Sequence, residues 1–78
     1  MEKTRAELLE MYDFVGDFHE GVACARDKAG NCFHIKPDGS LVYKGKYDWV
    51  GSFVKGLAWA HWGEEEFQIR LDGTRVEE

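Results

Sequence analysis

Short apolar runs alternate with turn-forming residues along most of this chain, and this pattern predicts β-strands. Pro37-Asp38-Gly39 and Asp72-Gly73 favour tight turns, because proline presets φ and glycine accepts positive φ. Tyr12 to Phe18 reads as a short extended piece broken at Gly16. The predicted strands that follow are Val22 to Arg26, Cys32 to Lys36, Leu41 to Tyr43, Leu57 to Trp62 and Phe67 to Leu71, with Arg75 to Glu77 as a candidate last strand. Consecutive strands joined by short turns predict an antiparallel meander.

The N-terminus predicts one short α-helix. Thr4 and Glu7 have the spacing of a capping box, and good helix formers follow as far as Met11. Leu8 and Leu9 lie near Tyr12 on one face of this helix. Two helical turns are marginal alone in water, so we expect this face to dock on the rest of the domain.

Most of the remaining chain consists of one unit written twice. YDFVGDFHEGVACA at 12–25 and YDWVGSFVKGLAWA at 47–60 share Y, D, V, G, F, G, A and A at an offset of 35 residues. FHIKPDG at 33–39 returns as FQIRLDG at 67–73. Self-similarity at a fixed period indicates tandem supersecondary units. We predict a single mainly β domain, an antiparallel meander of two repeats of about 35 residues with a helix at 1–11, repeat 1 at 12–46 and repeat 2 at 47–78.

The alternation of side chains along strands predicts which residues form the core. A first hairpin folded about the midpoint of Ala29 and Gly30 places Val22 and Cys24 with Phe33 and Ile35. The second hairpin then places Leu57 and Trp59 with Phe67, Ile69 and Leu71. The opposite face carries the paired alanines at 23, 25, 58 and 60 together with Cys32 and His34. Trp62 falls outside the core parity beside an acidic turn, so we expect it to be exposed.

Charge and cysteine content narrow the setting of the protein. The net charge of −5 argues against nucleic acid, whose phosphates require a basic surface, and against an anionic membrane surface. No apolar run approaches the about 20 residues of a membrane span, and MEKTRAELLEM lacks the apolar core and cleavage site of a secretory signal. Two cysteines in such a chain favour reduced thiols, so we expect a cytoplasmic location.

The sequence contains few residues in the patterns that catalytic or metal-binding sites require. Cys24 and Cys32 are eight residues apart with no matching histidine pair, which does not fit a structural zinc site, and the predicted parity puts them on opposite faces. An enzyme is the third hypothesis for function. The best candidates for acid–base catalysis would be Asp17, His19 and Glu20. We expect no enzyme activity, no cofactor and no metal. The glycines that recur in both copies predict structural turns: Gly16, Gly21, Gly39, Gly51, Gly56 and Gly73.

Aromatic residues are the remaining functional lead. Tryptophan and tyrosine anchor protein interfaces and can also stack against sugar rings, although core packing is the alternative for each of them. The candidate interaction surface comprises Trp62, Trp49, Tyr43, His34 and Tyr47.

These repeated blocks resemble the bacterial WG-repeat family, in the variant with units of the form YDWVGDF-x-EG-x-A followed by WFHI and an Asp-Gly turn. This chain departs from the pattern at Cys32 and Glu66, where the family has tryptophan, and at Ser52, Lys55 and Gln68. The resemblance implies tandem β units, usually in longer arrays, that serve interactions.

Two function hypotheses follow from the residues and the resemblance. The first is a non-enzymatic module that mediates protein–protein interaction or forms part of a longer array. The alternative is a carbohydrate-binding module with an exposed aromatic face. Because nothing comparable to the helix follows Val76, we expect either a homodimer through the last strand or a curled domain whose last strand meets the first.

Overall fold

The computed structural model describes residues 2–76 and has two three-stranded antiparallel sheets after one helix. The helix α1 is Arg5–Met11. Sheet A has the order β1-β2-β3 and sheet B the order β4-β5-β6. The strands are β1 Phe14–His19, β2 Val22–Arg26, β3 Cys32–Ile35, β4 Trp49–Val50, β5 Leu57–Trp62 and β6 Glu65–Arg70. The mainly β fold of two tandem repeats with an N-terminal helix is therefore confirmed.

Three predicted strands differ in detail from the observed ones. The first piece is not broken at Gly16; β1 is continuous and instead changes register with β2 between Val15 and Phe18. The predicted strands at Leu41 and Arg75 reduce to single bridges, with Ile35 and Ile69 respectively. Glu77 lies outside the described residues. The last strand does not meet the first, because the two sheets do not share a strand.

Helix α1 forms and docks through one of its two leucines. The Thr4 hydroxyl accepts a hydrogen bond from the Glu7 N–H at 3.2 Å, and the Glu7 carboxylate accepts one from the Thr4 N–H at 2.9 Å. This reciprocal pair is the predicted capping box. Leu8 is buried, whereas Leu9 is 47% exposed. The Leu8 side of the helix therefore packs on the domain, and the Arg5 guanidinium adds hydrogen bonds to the Val15 and Gly16 carbonyls.

The core face of both sheets is the alanine face, which corrects the predicted parity. Ala23 pairs with Ile35 and Ala25 with Phe33, so these four buried side chains share one side of sheet A. In sheet B, Ala58 pairs with Ile69 and Ala60 with Phe67. Cys24 and Trp59 point the other way, and Trp59 is 48% exposed. The prediction that Cys24, Leu57, Trp59 and Leu71 form the core is wrong, whereas four other predicted core residues are buried: Val22, Phe33, Ile35 and Ile69.

In sheet A, a shift of one residue in the first loop causes this difference. Asp27 and Asn31 close the loop through a hydrogen bond from the Asp27 N–H to the Asn31 carbonyl at 3.0 Å. The Asp27 carboxylate also accepts from the Ala29 and Asn31 N–H groups, each at 3.0 Å. The loop is therefore centred on Ala29 and not between Ala29 and Gly30. A slip of one residue moves every side chain of a strand to the other face of its sheet.

Equivalent contacts in the two repeats join each Asp-Gly turn to an aromatic residue. The Tyr12 hydroxyl donates to the Gly39 carbonyl at 2.7 Å, and the Tyr47 hydroxyl to the Gly73 carbonyl at 3.4 Å. The two tyrosine rings meet Phe33 and Phe67 edge to face, at centroid distances of 5.4 and 5.6 Å. These contacts explain why both tyrosines recur in the sequence.

Gly73 leaves no room for a side chain. Its φ is +86°, and a Cβ there would lie 2.6 Å from the Cβ of Tyr43. Gly30 has a similar φ of +90° but nothing within 4 Å of the corresponding position.

We expect Gly73→Ala to lower the free energy of unfolding by about 3 kcal/mol, because backbone strain and overpacking combine. Gly30→Ala is the matched control and should cost only about 1 kcal/mol, from backbone strain alone. Urea denaturation of both variants measures the difference. Equal losses of stability would show that Tyr43 does not enclose Gly73.

The joint between the repeats and the open face of sheet B

His34 is the centre of the contact between the two repeats. Its side chain is fully buried. Nε2 lies 2.7 Å from the Gly51 carbonyl oxygen, and Nδ1 lies 2.6 Å from the Tyr43 hydroxyl. Because a carbonyl only accepts, Nε2 donates to Gly51 and Nδ1 of the neutral ring accepts from Tyr43. Burial lowers the pKa of His34, which keeps the ring neutral, and burial also raises the pKa of Tyr43.

Phe53 completes the cover over this side of sheet A. Its ring lies 4.4 Å from the His34 ring, centroid to centroid, and the side chain is 1% exposed. Phe18 occupies the equivalent position in repeat 1 and is 38% exposed. The difference indicates that the beginning of one repeat covers the end of the repeat before it.

Two further contacts cross the joint. The backbones of Cys32 and Tyr47 exchange two hydrogen bonds, at 2.7 and 2.9 Å. The Glu20 carboxylate accepts hydrogen bonds from the N–H groups of Lys55 and Gly56, the latter at 2.8 Å. Hydrogen bonds to an ionised group are stronger than neutral ones, so Glu20 links the first turn of repeat 1 to the equivalent turn of repeat 2.

Within residues 2–76, nothing covers the face of sheet B that corresponds to the His34 side of sheet A. Trp59 pairs with Gln68, and His61 pairs with both Glu66 and Trp49. Trp49 and Trp59 are 50% and 48% exposed. We call these five residues the open face of sheet B. A shallow cavity of about 220 Å³ beside them is lined by Trp59, Glu66, Phe67, Gln68 and Val76.

His61 contacts both a carboxylate and an indole on the open face. His61 Nε2 lies 2.6 Å from a Glu66 carboxylate oxygen, and the Trp49 ring meets the His61 ring edge to face at 5.3 Å. Two half-exposed indoles flanked by an acid, an amide and an imidazole form a surface that is both apolar and able to form hydrogen bonds.

The five residues of the sequence-predicted interaction surface do not form one accessible surface, although His34, Tyr43 and Tyr47 contact one another in the interior. Trp49 and Trp62 are exposed, but Trp62 lies at the end of β5 on the side of the alanines, opposite to Trp49. His34 and Tyr43 are buried in the joint, and Tyr47 is half-buried against Phe67. His34 and Tyr43 therefore cannot contribute to an accessible surface, which corrects that prediction.

Sequence reasoning missed Trp59, although the repeat itself contains a signal for it. The alanines of the two hairpins are identical in both copies, whereas the residue between them changes from Cys24 to Trp59. A core position tolerates such a change in volume poorly. The unchanged small residues were thus the better indication of the buried side.

The cysteines lie on one side of sheet A and not on opposite sides. Cys24 pairs with His34 and Cys32 with Arg26, and both thiols are free and half-buried. Burial raises the pKa of both thiols, which favours the protonated forms. Within residues 2–76, no group of three or more histidine, cysteine or acidic side chains is placed to hold a metal ion.

Three of the repeated carboxylates accept hydrogen bonds from the backbone: Asp38, Asp48 and Asp72. The Asp38 and Asp72 carboxylates accept from the N–H groups of Ser40 and Thr74, each at 2.9 Å. These bonds and those from the two hydroxyls lower the pKa of both acids. Asp48 accepts from the Gly63 N–H at 2.7 Å. The recurrence of Asp38 and Asp72 therefore has a structural explanation.

Because His34 is buried as the neutral ring, stability should fall on acidification. The unfolded chain takes up a proton near the ordinary histidine pKa of about 6.5, whereas folded His34 does not. We expect the free energy of unfolding to fall by about 1 kcal/mol between pH 7 and pH 5.5. Cys24 and Tyr43, which also contact the ring, stay neutral over this interval.

His34→Gln should remove this pH dependence, because glutamine keeps one donor and one acceptor but does not titrate. The exposed His19, changed to glutamine, serves as the control and should leave the profile as it is. Thermal denaturation across the pH range tests both. A profile for His34→Gln as steep as that of the wild type would contradict the assignment.

In the described residues, no helix is long and apolar enough to cross a membrane. Comparison with protein families finds the WG containing repeat at residues 8–31 and 35–60, together more than half of the chain. Neither the curated proteins nor the solved structures contain a match. The duplicated sequence, the two equivalent sheets and the family match agree, and the chain belongs to the family of WG-containing repeats.

Proposed function

We propose that this domain is a non-enzymatic interaction module that binds a protein partner through the open face of sheet B. One observation carries the proposal: the beginning of repeat 2 covers the equivalent face of sheet A, whereas the open face leaves Trp49 and Trp59 half exposed. Tryptophan is enriched among the residues that dominate binding energy at protein interfaces.

Gln68 supports a partner that resembles a further repeat. It stands where His34 stands in repeat 1, and its amide offers one side for donation and one for acceptance, as the neutral imidazole does. A partner that presents a carbonyl and a hydroxyl would satisfy both. Such a partner could belong to a longer array or to another protein.

The edge of β6 supports the same kind of partner. The Gln68 carbonyl accepts a hydrogen bond from the Val76 N–H at 2.8 Å, on the edge of β6 that faces away from β5. Since the outward-pointing groups alternate along an antiparallel strand, the backbone of Glu66 also points outward. Cys32 is the residue of repeat 1 equivalent to Glu66, and its outward-pointing backbone groups pair with Tyr47. Addition of a strand at Glu66 would therefore extend the sheet.

Carbohydrate binding is the second candidate, and the composition of the open face supports it. Trp49 and Trp59 present apolar surface, while Glu66 and Gln68 provide hydrogen-bonding groups at the same site. Small-molecule sites commonly combine apolar side chains with a few polar groups in this way.

Trp59→Ala should reduce partner affinity by roughly 30-fold or more, as expected for a central interface tryptophan, with little change in stability because the side chain is half exposed. Trp62→Ala is the matched control, since this tryptophan is equally exposed but lies on the other face. A photoreactive amino acid placed at position 59 or 62 in cells identifies the partner, and a glycan array tests the second candidate.

Protein crosslinks that form from position 59 and not from position 62 support the proposal. A glycan signal that Trp59→Ala removes would favour the carbohydrate instead. Crosslinking that is equal at the two positions would show that the open face is not the binding surface.

A further inference from the structure

Two hairpin turns in this domain have the same backbone geometry. Glu20 and Gly21 have φ values of 53° and 84°, and Lys55 and Gly56 have 54° and 82°. Two successive residues with positive φ between antiparallel strands are typical of a type I′ hairpin turn. The two N–H groups of each turn are therefore arranged alike.

The second turn shows what this arrangement binds. The Glu20 carboxylate accepts from the Lys55 N–H with one oxygen and from the Gly56 N–H with the other. Successive backbone N–H groups in such a turn form a small anion-binding concavity. Within residues 2–76, the equivalent N–H groups of Glu20 and Gly21 have no acceptor. A Cβ added at Gly21 would meet nothing within 4 Å, and the same holds at Gly56 of the occupied turn, so the two turns also agree in their steric surroundings.

We propose that the N–H groups of Glu20 and Gly21 bind the carboxylate of an acidic side chain from a partner protein. This site goes beyond the interaction surface of sheet B, because it lies on a different sheet and uses backbone donors. The occupied turn at Lys55 and Gly56 is the internal template for its chemistry.

The surroundings of the turn suit an anionic side chain. A surface cavity of about 420 Å³ includes Gly21 in its wall together with Lys3, Arg5 and the single acid Glu2. Phe18 also lines it and is 38% exposed. A glutamate or aspartate side chain would place its methylene groups near this ring and its charge near two cations.

A second copy of this chain is a poor occupant. The residue equivalent to Glu20 in repeat 2 is Lys55, which brings an ammonium group and no acceptor. Arg5 of helix α1 also donates to the Gly16 carbonyl, the counterpart of the Gly51 carbonyl that His34 contacts in the joint. The helix thus holds part of the place that a preceding repeat would need. A short acidic segment fits without displacing it.

Amide NMR on the ¹⁵N-labelled domain tests the site directly. The probes are blocked glutamate, N-acetyl-Glu-N-methylamide, and its uncharged counterpart N-acetyl-Gln-N-methylamide. We expect glutamate to shift the Glu20 and Gly21 amide protons downfield, and glutamine to bind roughly fivefold more weakly, because it lacks the charge. The Lys55 and Gly56 amides are occupied and should not move.

Glu20→Ala empties the second turn and provides a positive control in the same molecule. In this variant the Lys55 and Gly56 amides should respond to glutamate as the first turn does. If the variant does not fold, the wild-type titration still decides the question.

Equal responses to glutamate and glutamine, or no response at Glu20 and Gly21, would overturn the proposal. A larger response to inorganic phosphate than to glutamate at equal concentration would also overturn it, since the site would then belong to another class of anion. The open face of sheet B is tested by Trp59 variants, so either idea can fail without the other.

Discussion

The hydrogen bonds of His34 hold the two repeats together. The ring is fully buried, donates to a backbone carbonyl of repeat 2 and accepts from the Tyr43 hydroxyl. A buried polar group is costly unless its partners are present, so these bonds specify how repeat 2 sits on sheet A. In the described part of the chain, no buried side-chain nitrogen or oxygen lacks a partner. The joint is therefore specific as well as apolar.

Small residues line the core face of both sheets. The side chains that pair with Phe33 and Ile69 on the neighbouring strands are buried alanines, Ala25 and Ala58. Phe53, Tyr43 and Tyr47 come from the segments between strands and cover the sheets. Much of the apolar burial in this domain thus comes from residues outside regular strands, which strand parity does not describe.

The sequence predicted the local features of the fold well. The Thr4 capping box, the two repeats and the positive φ values of Gly21 and Gly56 depend on neighbouring residues, so local patterns are sufficient to find them. The face of each strand depends on loop length to within one residue. The Asp27 carboxylate accepts two N–H bonds that close the first loop, and the resulting register places Ala23 and Ala25, not Cys24, on the side of Phe33 and Ile35.

The candidate site was less predictable, because it depends on which faces the repeats cover. His34 and Tyr43 look like surface residues in isolation and become buried only when repeat 2 folds over them. Trp59 looks like a core residue in isolation, because its side chain is large and apolar. It is exposed because, within residues 2–76, sheet B has no cover equivalent to the one that repeat 2 places over His34.

The two repeats differ at equivalent turn positions, where repeat 1 has Glu20 and repeat 2 has Lys55. Glu20 makes repeat 1 a unit that can be followed by another, whereas Lys55 removes that connection from repeat 2. Lysine and glutamate codons differ by a single base. One nucleotide substitution at this turn is therefore enough to add or remove the carboxylate that links one unit to the next.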